Sequence, residues 1–263
     1  DGILDVARRH NLIVIEDAAH AHGSQWRGRG VGSWGDFGSF SFQITKAMTA
    51  GEGGLLTTNE ARYAELSAAL VNCGRVPRGS TLTESPWGWN YRLPELQGAL
   101  LLAQFSRIEE LAVLRAENAA HLDRCLRELR GPAQPLPLDP RITRQAYYYF
   151  SLRYEAERCA GLPRGRFIEA VQAEGIPLGA GNPVIYKNPL FRPTRATSAV
   201  VAGLVGRGLD LSTIQCPNAE RIASETGMGI SQHVLLGSRA DVEDVVAAID
   251  KVTRHADQLA GPS

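Results

Sequence analysis

Apolar residues near the start of the chain fall in short unbroken runs set between polar punctuation. Leu12–Ile15 is four apolar residues without alternation, which predicts a parallel strand buried on both faces. Before it, Ile3, Leu4, Val6 and Ala7 are spaced as one face of a helix that leads into the strand. The run ends at Glu16 and Asp17, and polar residues at the carboxyl end of such a strand commonly face a ligand crevice. Gly38–Phe42 reads as a second strand and Gly54–Thr58 as a third. A helix capped by Asn59 is expected from Glu60 to Cys73.

The pattern then lengthens. Residues 74–92 are rich in Gly, Pro, Ser and Trp and read as a loop, after which Pro94 opens a helical pattern carried by Leu96, Leu100, Ala103, Ile108, Leu111, Leu114, His121, Leu122 and Leu126. The connector 131–140, GPAQPLPLDP, reads as a domain boundary because proline and glycine interrupt both kinds of regular structure. Beyond it, Ala146–Tyr154, including YYYFSLRY, reads as a strand with alternate faces buried, and Arg164–Glu174 as a helix. Ile176–Leu178 is expected as a short edge strand, and Arg239–His255 as an amphipathic helix with Val242, Val245, Val246, Ile249 and Val252 on its apolar side. The fold class is α/β. Residues 1–105 are read as the C-terminal part of a large domain with a mainly parallel sheet, 106–130 as a connecting helix, and 131–263 as a small α+β domain. The chain opens on a helix already under way, without Met, a basic leader or an apolar leader, so a fragment is expected.

Charge removes several functional classes. Lys plus Arg and Asp plus Glu both number 28, so no net positive charge is available to drive binding to nucleic acid or to an anionic membrane surface. No stretch approaches the roughly 18 apolar residues of a membrane span. Cys73, Cys125, Cys159 and Cys216 are widely spaced and form no CxxC pair, which argues against zinc or a disulfide framework and fits a reducing cytoplasm. No metal site is expected.

Chemistry centres on two residues. Lys46 lies in SFQITKAMTAGEGG (41–54), just past the second strand, and Asp17 lies just past the first. Taken alone, Lys46 could be a solvated loop lysine, and Asp17 a cap or a crevice-edge carboxylate. If both strand ends open onto one crevice, an amine and a carboxylate face one ligand. Pyridoxal phosphate requires that pair: a lysine for an imine, and a carboxylate to keep the pyridine nitrogen protonated. The same lysine can then shuttle a proton. Gly28-Arg29-Gly30-Val31-Gly32 does not sit between a strand and a helix in the order a dinucleotide loop needs, and reads as a surface turn.

The stretch EDAAHAHGSQWRGRGVGSWGDFGSFSFQITKAMTAGEGG resembles the core of the DegT–StrS family of sugar aminotransferases, and the likeness returns at GWNYRLPELQGALLLAQ (88–104). This resemblance implies the aspartate-aminotransferase type of fold and pyridoxal 5′-phosphate as cofactor. It implies that Lys46 forms the imine, Asp17 pairs with the pyridine nitrogen and His20 lies near the ring's phenolic oxygen. Ala19 would pack below the ring, and Ser41 would hydrogen-bond the phosphate. Asn90 would reach the phosphate held by a partner subunit, with Arg92 close by, which makes the enzyme a homodimer with a shared site. Tyr186, Lys187 and His233 fall where relatives have residues near the substrate, and His22 belongs to the structural surroundings of the site. Trp87 and Trp89 are expected at the subunit interface.

Within the family, Gln43 and Met48 resemble the branch that transfers the amino group of L-glutamine, or glutamate, to keto-cyclitols such as scyllo-inosose or 2-deoxy-scyllo-inosose in aminoglycoside biosynthesis, as do CPNAERIA and QHVLLG near the C-terminus. Gln43 suits a polyhydroxylated ring, because hydroxyl-reading sites work through hydrogen bonds that other substrates leave unpaired. A nucleotide-keto-sugar aminotransferase and a 3-amino-5-hydroxybenzoate synthase-like enzyme are the enzymatic alternatives. A regulatory protein of the same fold, or an inactive fragment, is the non-enzymatic one.

Overall fold

The computed structural model describes residues 1–188, 203 and 213–259. In chain order the elements are α1 Gly2–His10, β1 Ile15–Asp17, β2 Gln25–Trp26, β3 Arg29–Gly30, β4 Phe37–Ser41, β5 Gly54–Thr57, α2 Ala61–Val71, α3 Glu95–Phe105 and α4 Ile108–Leu129. They continue with β6 Ala133–Pro135, β7 Ile142–Arg144, β8 Tyr149–Tyr154, α5 Arg164–Ala173, β9 Leu178–Ala180, α6 Pro217–Arg221, β10 Gly227–Ser231, α7 Arg239–Arg254 and α8 Ala256–Leu259. They form two compact units, one of residues 1–119 with 138–148, the other of 120–137 with 149–263. This division differs from the expected boundaries at 105 and 130. Helix α4 contributes to both units, and 138–148 returns to the first because β7 pairs with β2.

In the first unit, α1 stops at Asn11, whose left-handed backbone (φ 50°) lets its N–H reach the carbonyls of Ala7 and Arg8; asparagine tolerates that conformation better than most residues. The turn delivers the chain to β1, which runs parallel to β4 with Ile15 opposite Phe37 and Asp17 opposite Ser39. β5 then pairs antiparallel with β4. The Val14 N–H donates to Asp36 Oδ2 (2.8 Å), and Val14 O accepts from the amides of Asp36 and Phe37, so β1 and β4 start level and their carboxyl ends leave the sheet on one side. The Gly28 segment is a tight hairpin between β2 and β3, with Arg27 and Gly28 both at positive φ. That is the twist-matched turn of a two-residue hairpin, as a surface turn requires.

Three local expectations are corrected. The first strand lies at Ile15–Asp17, so Leu12 and Ile13 fall outside it; Leu12, Ile13 and Ile15 are exposed, and among the described residues β1 pairs with β4 alone. Asn59 does not cap α2; Glu60 occupies the cap position and makes no side-chain cap bond. The long helical pattern after Pro94 breaks at Ser106–Arg107 into α3 and α4.

The second unit holds a four-stranded antiparallel sheet in the order β6-β8-β10-β9, whose edge strand β9 starts two residues later than the expected Ile176–Leu178. Phe150, Leu152, Tyr154, Met228 and Ile230 are buried on it, as are Phe167 and Val171 of α5 and Val242, Val245, Ile249 and Val252 of α7. α7 starts at a capping box in which the Ser238 hydroxyl accepts from Asp241 N and the Asp241 carboxylate accepts from Ser238 N; this reciprocal pair satisfies two N–H groups left without partners in the helix.

Candidate active site

Glu16 and Asp17 are adjacent, so the pleat sends their side chains to opposite faces of β1. The Glu16 carboxylate accepts three backbone N–H groups, from Gly32 (2.9 Å), Trp34 (2.5 Å) and Gly35 (2.8 Å), and so holds the turn that leads into β4. Asp17 is exposed at the strand's end, where Oδ1 accepts from Ala19 N (3.1 Å) and the next amide, Ala18 N, bonds back to Ser39 O on β4 (2.8 Å). One carboxylate is therefore scaffold, and the other faces solvent at the crevice.

The lysine segment leaves β4 as a compact loop. Ala50 N bonds to Phe42 O and Phe42 N to Gly53 O, which brings the two ends of the loop together. α3 fastens it from behind: Gln104 accepts from Thr49 N (3.0 Å) and donates to Thr49 O (2.5 Å), while Gln97 donates to the carbonyls of Ala50 and Glu52. Met48 is buried with Phe42, Ala50 and Leu101. Its place in the sequence is thus explained by packing beneath the loop. Gly51 and Gly53 sit at positive φ (80° and 138°), and a Cβ on Gly53 would meet Leu93 at 3.1 Å, so the glycines form a close-packed turn.

At the crevice, Lys46 is half-buried and His20 is exposed. His20 feels both charges. Burial and Lys46 lower its pKa, and Asp17 opposes them, which puts amine, imidazole and carboxylate in one electrostatic neighbourhood. His22 is buried between the rings of Phe40 and Phe42, and its pKa is lowered chiefly by burial. Neither of its ring nitrogens makes a hydrogen bond of normal geometry among the described residues, although the Ser41 backbone is near enough to favour the charged ring. Ser41 ends β4 with its hydroxyl accepting from Gln43 N (3.3 Å), and Gln43 Oε1 accepts from both Thr45 N (2.9 Å) and Thr45 Oγ1 (2.7 Å).

A residue that sequence reasoning missed joins them. The ring of Tyr148 stacks on His20 at 3.9 Å between centroids, lies 4.9 Å from Lys46 Nζ, and its hydroxyl is 2.9 Å from Thr45 Oγ1. The expectation of a regular strand over 146–154 hid it. The strand starts only at Tyr149, because Tyr147 adopts a left-handed backbone (φ 50°).

The remaining expected residues are held by local contacts of their own. Asn90 is exposed, in an extended stretch whose backbone bridges Asn72, and Arg92 donates to Asn72 Oδ1 (2.9 Å). In the second unit, the Tyr186 hydroxyl bonds to Glu220 and accepts from Cys216 N (3.0 Å), and Lys187 pairs with Glu220 (2.6 Å). The pKa values of Tyr186 and Lys187 are both raised above their usual values. Burial is the larger cause for Tyr186, and the bond itself is the larger cause for Lys187. His233 is exposed at the start of a single 3-10 turn. The four cysteines are free, and no His/Cys/Asp/Glu group among the described residues could hold a metal.

The site has the donor set that pyridoxal phosphate needs: an amine for its aldehyde, an acid for its ring nitrogen and a hydroxyl at the strand end for its phosphate. Parallel strands that deliver a carboxylate and a lysine to one edge define the class, an α/β chain of the fold-type-I aminotransferase architecture. The chain belongs to the DegT/DnrJ/EryC1/StrS aminotransferase family, whose profile matches residues 1–250. The family is pyridoxal-phosphate-dependent. A Streptoalloteichus tenebrarius protein, named provisionally as an L-glutamine:3-amino-2,3-dideoxy-scyllo-inosose aminotransferase, is 37% identical over 98% of this chain and 63% of its own length. The L-glutamine:scyllo-inosose aminotransferase of Streptomyces griseus is 37% identical over 96% of this chain and 61% of its own length. Among solved structures, 3-amino-5-hydroxybenzoic acid synthase superposes with a TM-score of 0.75 at 27% identity, covering 96% of this chain and 63% of that one. The chain therefore spans a little over three-fifths of the length of the relatives it matches.

Proposed function

We propose that this chain carries the lysine–carboxylate half of a pyridoxal-phosphate-dependent aminotransferase that moves the amino group of L-glutamine to a keto-cyclitol of the scyllo-inosose type, in the cytoplasm of an aminoglycoside producer. The observation that carries the reading is that Lys46 Nζ and the His20 ring both lie against the Tyr148 ring (4.9 Å and 3.9 Å), with Asp17 at the carboxyl end of β1, which runs parallel to β4. The names of the relatives from Streptoalloteichus and Streptomyces support the choice of donor and acceptor.

When bound, pyridoxal phosphate supplies an electron sink for the charge that develops on the substrate carbon. The chain's own residues do the rest. Lys46 Nζ takes and returns the proton at that carbon, as a positioned amine of a general acid–base site does. Asp17 presents a carboxylate that accepts from a protonated ring nitrogen, and the Ala19 N–H bond fixes its orientation. His20 and Ala19 border the ring, and Ser41 offers its hydroxyl to the phosphate. Gln43, Arg92, Tyr186, Lys187 and His233 are the proposed substrate-side residues. Asn90 reaches the phosphate held by a partner subunit, a reading favoured by its neighbours Trp87, Trp89 and Tyr91, which are 92%, 59% and 70% exposed. Aromatic residues bared to that extent are typical of interface cores.

Adding pyridoxal phosphate to the chain is expected to produce the visible absorbance of an imine, and Lys46→Ala is expected to abolish it. Glutamine with scyllo-inosose or 2-deoxy-scyllo-inosose should then be turned over. A chain that stays colourless overturns the cofactor reading. Turnover confined to a nucleotide-keto-sugar, or to the precursor of 3-amino-5-hydroxybenzoate, overturns the choice of acceptor.

A further inference from the structure

Tyr148 is unusually well placed for a residue with no assigned part. The buried Arg115 donates from Nε to Ala146 O (3.2 Å), and Ser24 Oγ accepts from Ala146 N (2.9 Å), so both backbone groups of Ala146 are held. Tyr147 then takes a left-handed conformation (φ 50°), which costs energy in a residue with a bulky side chain. Such a conformation persists only when its surroundings over-determine it, and here it turns the Tyr148 ring onto His20 and Lys46.

The hydroxyl contact has a direction. The Thr45 hydroxyl donates its single proton to Gln43 Oε1, so the Tyr148 O–H must be the donor to Thr45 Oγ1. Gln43 Oε1 is occupied twice, by Thr45 N and by Thr45 Oγ1, which settles the amide's orientation and leaves its NH2 as the group offered outward. The relay Tyr148–Thr45–Gln43 thus links the ring that covers Lys46 to a pair of amide N–H donors.

We infer that Tyr148 is a positioning residue of this site: its ring fixes Lys46 and His20 from one side, and its hydroxyl, through Thr45, holds the Gln43 amide donor-outward to read a hydroxyl or carbonyl oxygen of the acceptor. This rests on the aminotransferase reading above and names a specificity element within it. A ring that accepts the lysine on its face restricts the amine without using its protons in a hydrogen bond.

Two measurements test it. The sequence holds three lysines, Lys46, Lys187 and Lys251, so reductive methylation with 13C-formaldehyde gives few resonances. The Lys46 methyl signal should be displaced upfield by the Tyr148 ring current, keep that displacement in Tyr148→Phe and lose it in Tyr148→Leu. In the full chain with pyridoxal phosphate, Tyr148→Phe and Thr45→Val should each raise the KM for the keto-cyclitol about tenfold, the size of one misdirected hydrogen bond to a substrate. Thr45→Ser, which keeps a hydroxyl, should restore it. An unshifted Lys46 signal, or a KM that is the same in all four proteins, overturns the inference. Absence of an imine in the wild type fails the aminotransferase reading instead, and the ring-current result still decides whether Tyr148 covers Lys46.

Discussion

At the scale of single residues, burial decides what His22 can do. It is 3% exposed, wedged against Phe40 and Phe42, and burial is the largest of the influences that lower its pKa from 6.5. The sign follows from proton counting: below pH 6.5 the unfolded chain binds a proton that the folded chain resists, so stability rises with pH through that window. The neutral ring's contribution is complete above 6.5 and is lost on acidification. Urea midpoints measured between pH 5 and pH 7.5 should therefore fall toward acid, and His22→Phe should flatten the slope. An unchanged slope would mean that His22 is free to charge in the fold. Asp17 and Lys46 could be read from sequence because each is a chemically distinctive residue at the predicted end of a strand. Tyr148 could not, since three consecutive tyrosines look alike until a left-handed residue fixes which one turns into the site.

At the scale of elements, the lysine loop owes its shape to α3 more than to its own sequence. Two glutamines, Gln97 and Gln104, bond its backbone carbonyls and one of its amides, and Leu101 packs under Met48. Gln104→Leu removes a donor and an acceptor together. We expect exchange of the Thr49 amide to quicken about tenfold by NMR, as the loss of one such hydrogen bond from a local opening equilibrium predicts. Exchange as slow as in the wild type would show that the loop holds itself. The longer helices and the strands β4, β5 and β8 were legible from their apolar runs, whereas β2, β3, β6, β7 and β10 were not expected. The break at Ser106–Arg107 was not, for the hydrophobic spacing runs through it, and only the loop-facing glutamines and the turn geometry reveal two helices. Met48, which resembles a family branch in sequence, also packs beneath the loop in the structure.

At the scale of the whole molecule, the first unit leaves a good deal of apolar surface in water. Trp87, Trp89, Tyr91 and Leu96 are exposed within ten residues of sequence, with Asn90 among them. Exposed clusters of this kind mark association sites in soluble proteins. If the proposed homodimer uses this surface, Trp87→Ser combined with Leu96→Ser should shift sedimentation velocity from dimer to monomer. A dimer that survives both changes would locate the contact elsewhere. The two-unit division was only partly legible for a related reason: the proline-rich connector announces a change of domain, yet nothing in its composition tells that β7, just beyond it, returns to pair with β2.

The adjacency of Glu16 and Asp17 makes the site depend on parity. One acid gathers three amides on one face of β1, the other stands at the crevice, and the assignment is set by how many residues separate Asn11 from the strand's end. Deleting one residue from Leu12–Val14 would not remove a single functional group, but it would offer the strand a choice. It could keep its pairing with β4 and exchange the two acids, or keep the acids in place and break the ladder. Length, and not identity, is what the short run Leu12–Val14 contributes to the chemistry.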